Sequence, residues 1–292
     1  MSAPEGVRAT ALLTAYARAQ ESARPDRLFD DPWARPFVTE ATAFAGDGLP
    51  RIGMARDDDR ISPLWQLYSA CCAARTPFFD EHVLSAVRDG ARQVVLVGAS
   101  MDTRAYRLGL PADTVVFELD NRSVLDFKDS VLARHRAEPT CRRVPVAAEP
   151  RADWAGDLLA AGFTPDAPVI WVAEGLLMYF ATEDSDRLLA RISEQSRDRA
   201  WLVADYPPHV IDEPTLTSLA TDEAERISAM MMANLMRPGP GAEPAAWVAR
   251  HGWTAEVTDV DAELVRHGRP RPDFCGAAGP DRGMWLFSAT RG

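Results

Sequence analysis

The 292-residue chain reads as an α/β protein built on an open, mostly parallel sheet, and three observations predict it. From residue 91 onward, short apolar runs rich in β-branched residues alternate with helical stretches, the pattern of a parallel sheet covered on both faces. The first run ends at Gly98, a residue that lets backbone approach a ligand closely. The second run ends in an acid, Asp120, 22 residues past Gly98, near the ~20-residue interval at which a carboxylate grips ribose hydroxyls.

The elements follow in order. Residues 7–21 place Val7, Leu12, Leu13, Tyr16 and Ala19 at mostly helical spacing. Residues 24–38 carry three prolines and read as turns, and 46–60, with Asp57, Asp58 and Asp59, as loop. Residues 62–89 read as helix, with Gly90 suited to its C-terminal cap. Strands are predicted over 94–97, 114–119, 142–146, 168–173 and 200–204, with helices over 121–137, 152–161 and 182–197. Two further strands, over 252–257 and 284–289, complete a seven-stranded sheet that includes an antiparallel strand at its end. This divides the chain into an N-terminal helical cap, 1–90, and a sheet core, 91–292, with an insertion at about 206–245. The insertion holds Met230, Met231, Met232 and Met236, which fit either a helix core or a flexible apolar lid over a substrate.

Composition narrows the function. There are 32 basic and 43 acidic residues, a net charge of −11, which disfavours nucleic acid as the main partner. No run approaches the ~18 apolar residues of a membrane span, and residues 1–20 show no signal-peptide core. The four cysteines, Cys71, Cys72, Cys141 and Cys275, lack metal-ligand spacing and read as free thiols of a reducing cytoplasm. No metal site is expected. Lys128 is the single lysine among the basic residues.

Two cofactor classes share the Gly98–Asp120 geometry. A dinucleotide site needs G-x-G-x-x-G, and the equivalent positions here are Gly98, Ser100 and Thr103, which disfavours NAD and an oxidoreductase. S-adenosyl-L-methionine carries no pyrophosphate and needs no such cradle. The segments VVLVGASMDTRAYRL (94–108), VVFELDNRSVLDFK (115–128) and WVAEGLLMYF (171–180) resemble the leucine carboxyl methyltransferase family. RLFDDPWA (27–34), AARTPFFDEHV (73–83) and MWLFSATRG (284–292) fit the same family, so the likeness covers most of the chain. The match is closer to its bacterial, actinomycete polyketide O-methyltransferase branch than to the eukaryotic phosphatase carboxyl methyltransferases. The resemblance implies the Rossmann-like class I methyltransferase fold with a helical cap, S-adenosyl-L-methionine as cofactor, and a role in secondary metabolism.

Carried over residue by residue, the resemblance implies that Arg75 pairs with the cofactor carboxylate and that Gly98 and Ala99 lie against its amino-acid end. Asp102 and Arg104 would order the loop, Asp120 would take the ribose hydroxyls, and Glu174 would sit beside the methionine moiety. Lys128 is expected to brace Glu118 or Asp120. The chain departs from the family at two places. Ser100 stands where the family has glycine, and Glu149-Pro150 stands where it has Asp-Leu at the adenine. These departures keep open a protein that binds the cofactor without transferring methyl. A carboxylate acceptor needs no base, whereas a phenol is helped by one. His209, after the fifth strand, is one candidate and Tyr179 another. Acceptor contacts are expected from Tyr16 and Arg18 in the cap and Met231 in the insertion. The expected acceptor is a small natural-product-like acid or phenol, or a peptide C-terminus. Oligomeric state stays open.

Overall fold

The computed structural model describes residues 9–45, 62–272 and 283–292. Their elements are α1 (Ala9–Ser22), α2 (Ala34–Ala45), α3 (Pro63–Arg88), β1 (Gln93–Val97), α4 (Arg104–Arg107), β2 (Val115–Asp120), α5 (Arg122–Arg134), β3 (Arg142–Ala147) and α6 (Ala155–Ala160). There follow β4 (Val169–Ala173), a single 3-10 turn at Leu177–Tyr179, α7 (Thr182–Glu194), β5 (Ala200–Tyr206), α8 (Glu213–Ser218), α9 (Glu223–Leu235), α10 (Pro244–Ala249), β6 (Thr254–Asp259), α11 (Val260–Arg266) and β7 (Trp285–Arg291).

All seven predicted strands form one sheet, in the order β3-β2-β1-β4-β5-β7-β6. β1 pairs parallel with β2 and β4, and β7 pairs antiparallel with β5 and β6. Successive strand residues point to opposite faces, and the two faces carry separate cores. Val95, Val97, Phe117, Trp171 and Leu202 pack with Trp154, Leu188, Ile192 and Trp247 on one side. Val94, Leu96, Val116, Ile170 and Val203 pack with Phe78, Phe79, Val83 and Leu264 on the other. With both faces dry, the strands read as unbroken apolar runs rather than alternating ones.

α3 is longer than a cap helix needs to be. Its second half, from Ala74 to Val87, lies on the sheet, while Leu64, Trp65 and Cys72 in its first half pack with α1, α8 and α9. Ser62 caps it, with Oγ accepting from Trp65 N at 3.1 Å, and Pro63 follows at the first helical position.

Several boundaries differ from the sequence expectation. The turn-rich reading of 24–38 gives way at Ala34, where α2 begins: Pro36 lies in its first turn, where proline costs no hydrogen bond. α11 is a short helix capped by Asp259, whose side chain accepts from Ala262 N, too brief for periodicity to reveal. The insertion contains α8 and α9, capped by Asp212 and Asp222. The expected loop at 46–60 and Cys275 lie outside the described residues. Lys128 does brace Glu118: both side chains are fully buried, Nζ to Oε2 is 2.8 Å, and Arg143 Nη2 reaches the same oxygen at 2.7 Å. No helix among the described residues is long and apolar enough to cross a membrane.

Candidate active site

The sheet order reverses between β1 and β4, and in open α/β sheets ligands sit in the crevice outside the carboxyl ends of the strands at that point. A cavity of about 230 Å³ opens there. Its floor is the strand ends and the loops after them; its roof comes from α1, α3, α8 and α9.

Gly98 turns the chain at the end of β1 with φ +72°, and a Cβ there would meet Leu176 Cδ1 at 3.0 Å. The positive φ favours glycine, and the contact leaves little room for a side chain. Ser100 follows with φ +44°, in the left-handed region that favours glycine. The strained turn aims one backbone donor at the Asp120 carboxylate, and the residue after Asp120 supplies a second. Ser100 N donates to Asp120 Oδ2 and Asn121 N donates to Asp120 Oδ1, each at 2.7 Å. Burial pushes the Asp120 carboxyl above its ordinary value, against the pull of these two donors. Ser100 Oγ is buried with no hydrogen-bond partner among the described residues.

Beneath the cavity lies a cluster of charges around Glu174. Its Oε1 takes Arg18 Nη2 and Arg75 Nε, each at 3.1 Å, and its Oε2 lies 2.7 Å from Arg104 Nη2. Arg75 Nη1 also reaches Asp205 Oδ2 at 3.2 Å, while Gly175 N donates to Asp205 Oδ1 at 2.6 Å. Arg104 pairs with Asp102 and Asp80, and Asp80 in turn takes Arg107. Burial pushes the Glu174 carboxyl up, but Arg104, Arg18 and Arg75 outweigh it and hold it well below the ordinary carboxylate range. Arg18 Nε stays buried without a hydrogen-bond partner among the described residues.

The other half of the cavity is apolar. Leu64, Leu67, Ile211, Leu216, Met232 and Met236 line it. Tyr68 and Thr14 face each other there, hydroxyl to hydroxyl at 2.6 Å.

The structure brings Arg75, Gly98, Ala99, Ser100, Asp102, Asp120, Glu149, Pro150, Glu174 and Tyr179 to one cavity, with Arg18 beside them. Arg104 does not line it; it is fully buried and pairs with Glu174 and Asp102. His209, Tyr16 and Met231 do not line it. His209 is exposed, past Pro207 and Pro208. On α1 the residues facing the cavity are Thr10, Ala11, Thr14 and Arg18; Tyr16, two positions from Thr14 and from Arg18, is turned about 200° away and packs on Trp65 at 5.3 Å. Met232 on α9 and Met236 just past its end line the cavity, while Met231 is 50% exposed. Sequence reasoning did not single out Thr14, Tyr68, Asp205, Arg151 or Met178. For Asp205 a signal existed, an acid closing the apolar strand β5; for Thr14 and Tyr68 none did, because helix phase is set by packing.

The fold and cavity define a Rossmann-like protein of the class I methyltransferase type. Residues 11–193 match the leucine carboxyl methyltransferase family model. A Parafrankia protein (strain EAN1pec) named as a candidate S-adenosyl-L-methionine-dependent methyltransferase is 40% identical over 276 residues, covering 94% of this chain and 85% of that protein. A similarly named Streptomyces avermitilis protein is 38% identical over 267 residues, covering 91% and 90%. A crystal structure of a candidate methyltransferase from Thermobifida fusca shares the fold, with a TM-score of 0.50, 13% identity and 94% of both chains covered. The chain belongs to the leucine carboxyl methyltransferase family.

Proposed function

We propose that the protein is an S-adenosyl-L-methionine-dependent O-methyltransferase acting on a carboxylate or hydroxyl of a small, natural-product-like acceptor. The observation that carries the reading is the bracketed Asp120 carboxylate at one end of a cavity whose other end is apolar.

The residues present fit the cofactor. Each Asp120 oxygen accepts one backbone N–H and keeps lone-pair capacity for a ribose hydroxyl. Arg75 spends Nε and Nη1 on Glu174 and Asp205, and its Nη2 has no hydrogen bond among the described residues; with the orphaned Arg18 Nε it is suited to a carboxylate. Gly98 and Ala99 leave room against the amino-acid end, and Ser100 Oγ supplies a further donor. Glu149 lines the cavity beside Pro150, which has no N–H, and its carboxylate can accept from the adenine amine. When bound, the cofactor supplies an electrophilic methyl on a sulfonium.

The chain's own contribution is positioning. Holding two reactants in attack geometry is worth roughly 7–11 kcal/mol. No histidine lines the cavity among the described residues. Burial pushes the Cys71 thiol up to about 12 and the Tyr68 phenol well above its ordinary value, so neither is a base near neutrality. An acceptor that arrives ionised needs no base, which favours the carboxylate; Tyr179, which lines the cavity, stays the base candidate for a phenol. Cofactor binding without transfer is the second reading, favoured by Ser100, whose side chain stands in the cavity at a position where the backbone prefers glycine.

Turnover separates the two. The protein incubated with methyl-labelled S-adenosyl-L-methionine and a mixed panel of carboxylic acids and phenols is expected to release S-adenosylhomocysteine and yield labelled methyl esters. Cofactor binding with no acceptor-dependent release across the panel would favour the second reading.

A further inference from the structure

We infer that the paired hydroxyls of Tyr68 and Thr14 select the acceptor, and that the acceptor is an apolar acid carrying a separate hydrogen-bond donor, a hydroxyl or an N–H, which this pair receives. The inference rests on the methyltransferase reading and names the acceptor class within it.

The pair sits where α1 and α3 face each other across the apolar half of the cavity. Thr10, Thr14 and Tyr68 all line that wall. Three oxygens lie together: Thr14 Oγ1 and Tyr68 Oη are 2.6 Å apart, and both approach the Thr10 carbonyl, at 3.0 and 3.2 Å. Only two protons serve them. One lies between the two hydroxyls, whichever donates, and the other goes to the carbonyl. In either arrangement both protons are engaged, and the hydroxyl oxygens retain acceptor capacity. The pair therefore accepts from a ligand rather than donating to it. Burial keeps the Tyr68 phenol neutral across any working pH, so the proton count holds.

The position makes this an acceptor contact rather than a cofactor contact. Tyr68, Cys72 and Arg75 form one row on α3, and Thr14 and Arg18 one row on α1. Tyr68 is seven residues from Arg75, about 10 Å along the helix axis. Both rows run from the Glu174 charge cluster to the hydroxyl pair. Around the pair the walls are Leu64, Leu67, Ile211, Leu216, Met232 and Met236, so a ligand that reaches it is apolar along most of its length. A carboxylate, which only accepts, gains nothing from this pair. An ordinary apolar acid would leave both hydroxyl oxygens unused, while one with an O–H or N–H pairs with them.

The test uses the full-length protein loaded with S-adenosylhomocysteine. Calorimetry compares ω-hydroxydecanoate with decanoate, and hydroxyphenylpropionate with phenylpropionate, on the wild type and on the Tyr68→Phe, Thr14→Val double variant. In the wild type the hydroxylated member of at least one pair is expected to bind roughly five- to tenfold tighter, the size of one added hydrogen bond. In the double variant that ratio is expected to fall to about one, with S-adenosylhomocysteine affinity unchanged, since the pair's gain depends on its two hydroxyls. A pair that merely ties α1 to α3 would weaken both members equally and leave the ratio in place. The proposal is overturned by an unchanged ratio in the variant, by no preference in the wild type, or by failure of every acid to bind the loaded protein. Failure of S-adenosylhomocysteine itself to bind would overturn the underlying methyltransferase reading as well.

Discussion

Asp120→Ala is expected to weaken S-adenosyl-L-methionine binding by about two to three orders of magnitude while leaving the fold intact. On the proposed reading the carboxylate accepts both ribose hydroxyls, and a hydrogen bond to a charged group is worth about 1.5–3 kcal/mol. Its removal also frees Ser100 N and Asn121 N, which now hold the turn after β1 and the start of α5 against the same carboxylate. The turn itself should survive, because Gly98 N and Ala99 N both donate to Leu119 O, at 2.8 and 3.1 Å. Calorimetric titration with circular dichroism as a fold control measures the effect. An unchanged affinity would remove Asp120 from the cofactor site. The pH dependence has a definite sign. Asp120 binds best as the carboxylate, and burial raises its pKa, so affinity is expected to begin falling at a pH above the ordinary aspartate value of about 3.9.

Glu174→Gln is expected to be the most destabilising single change in the cluster, at about 3–5 kcal/mol, because it leaves buried cations without their anion. The three affected guanidiniums differ in what remains to them. Arg104 keeps Asp102 and Asp80, and Arg75 keeps Asp205. Among the described residues Arg18 keeps only its 3.4 Å hydrogen bond to the Met101 carbonyl and the attraction of Asp102, so most of the cost falls there. Denaturant unfolding measures it, and a loss below about 1 kcal/mol, the worth of an exposed pair, would contradict the burial of the cluster. Acid adds a second signature. The folded-state pKa of Glu174 lies below its unfolded value, so between the two the unfolded chain binds more protons and stability rises with pH. The contribution is fully present above about pH 4.3 and is lost as pH falls toward the folded value. The wild type should therefore lose stability in that window more steeply than the glutamine variant.

Much of the fold was legible because of how buried parallel strands are written. Val94 to Val97 and Val169 to Ala173 are continuous apolar runs, since each residue meets a dry face whichever way it points. Gly98 and Asp120 were legible for a related reason: they are fixed to strand ends, so their place in sequence determines their place in space. Helical residues lack that anchor. Tyr16 and Met231 were sensible choices by type, yet the cavity receives their neighbours Thr14 and Met232, because the rotation of α1 and α9 is set by packing against α3 and α8. Prolines misled in the same local way. Pro36 reads as a turn in isolation and sits without cost in the first turn of α2. The charge cluster was only half visible. Glu174, Arg75, Asp102 and Arg104 announced themselves through motifs, but their joining into one network depends on α1 and α3 crossing the strand ends, over sequence separations near a hundred residues or more.

The central claim is that the crevice between β1 and β4 holds S-adenosyl-L-methionine and no dinucleotide. Titrating the wild-type protein with S-adenosyl-L-methionine and, separately, with NADH tests it most directly. One-to-one binding of S-adenosyl-L-methionine at about micromolar Kd, corresponding to roughly 8 kcal/mol, with no heat from NADH, is the predicted result. Binding of NADH, or no binding of S-adenosyl-L-methionine by the folded protein, would contradict it.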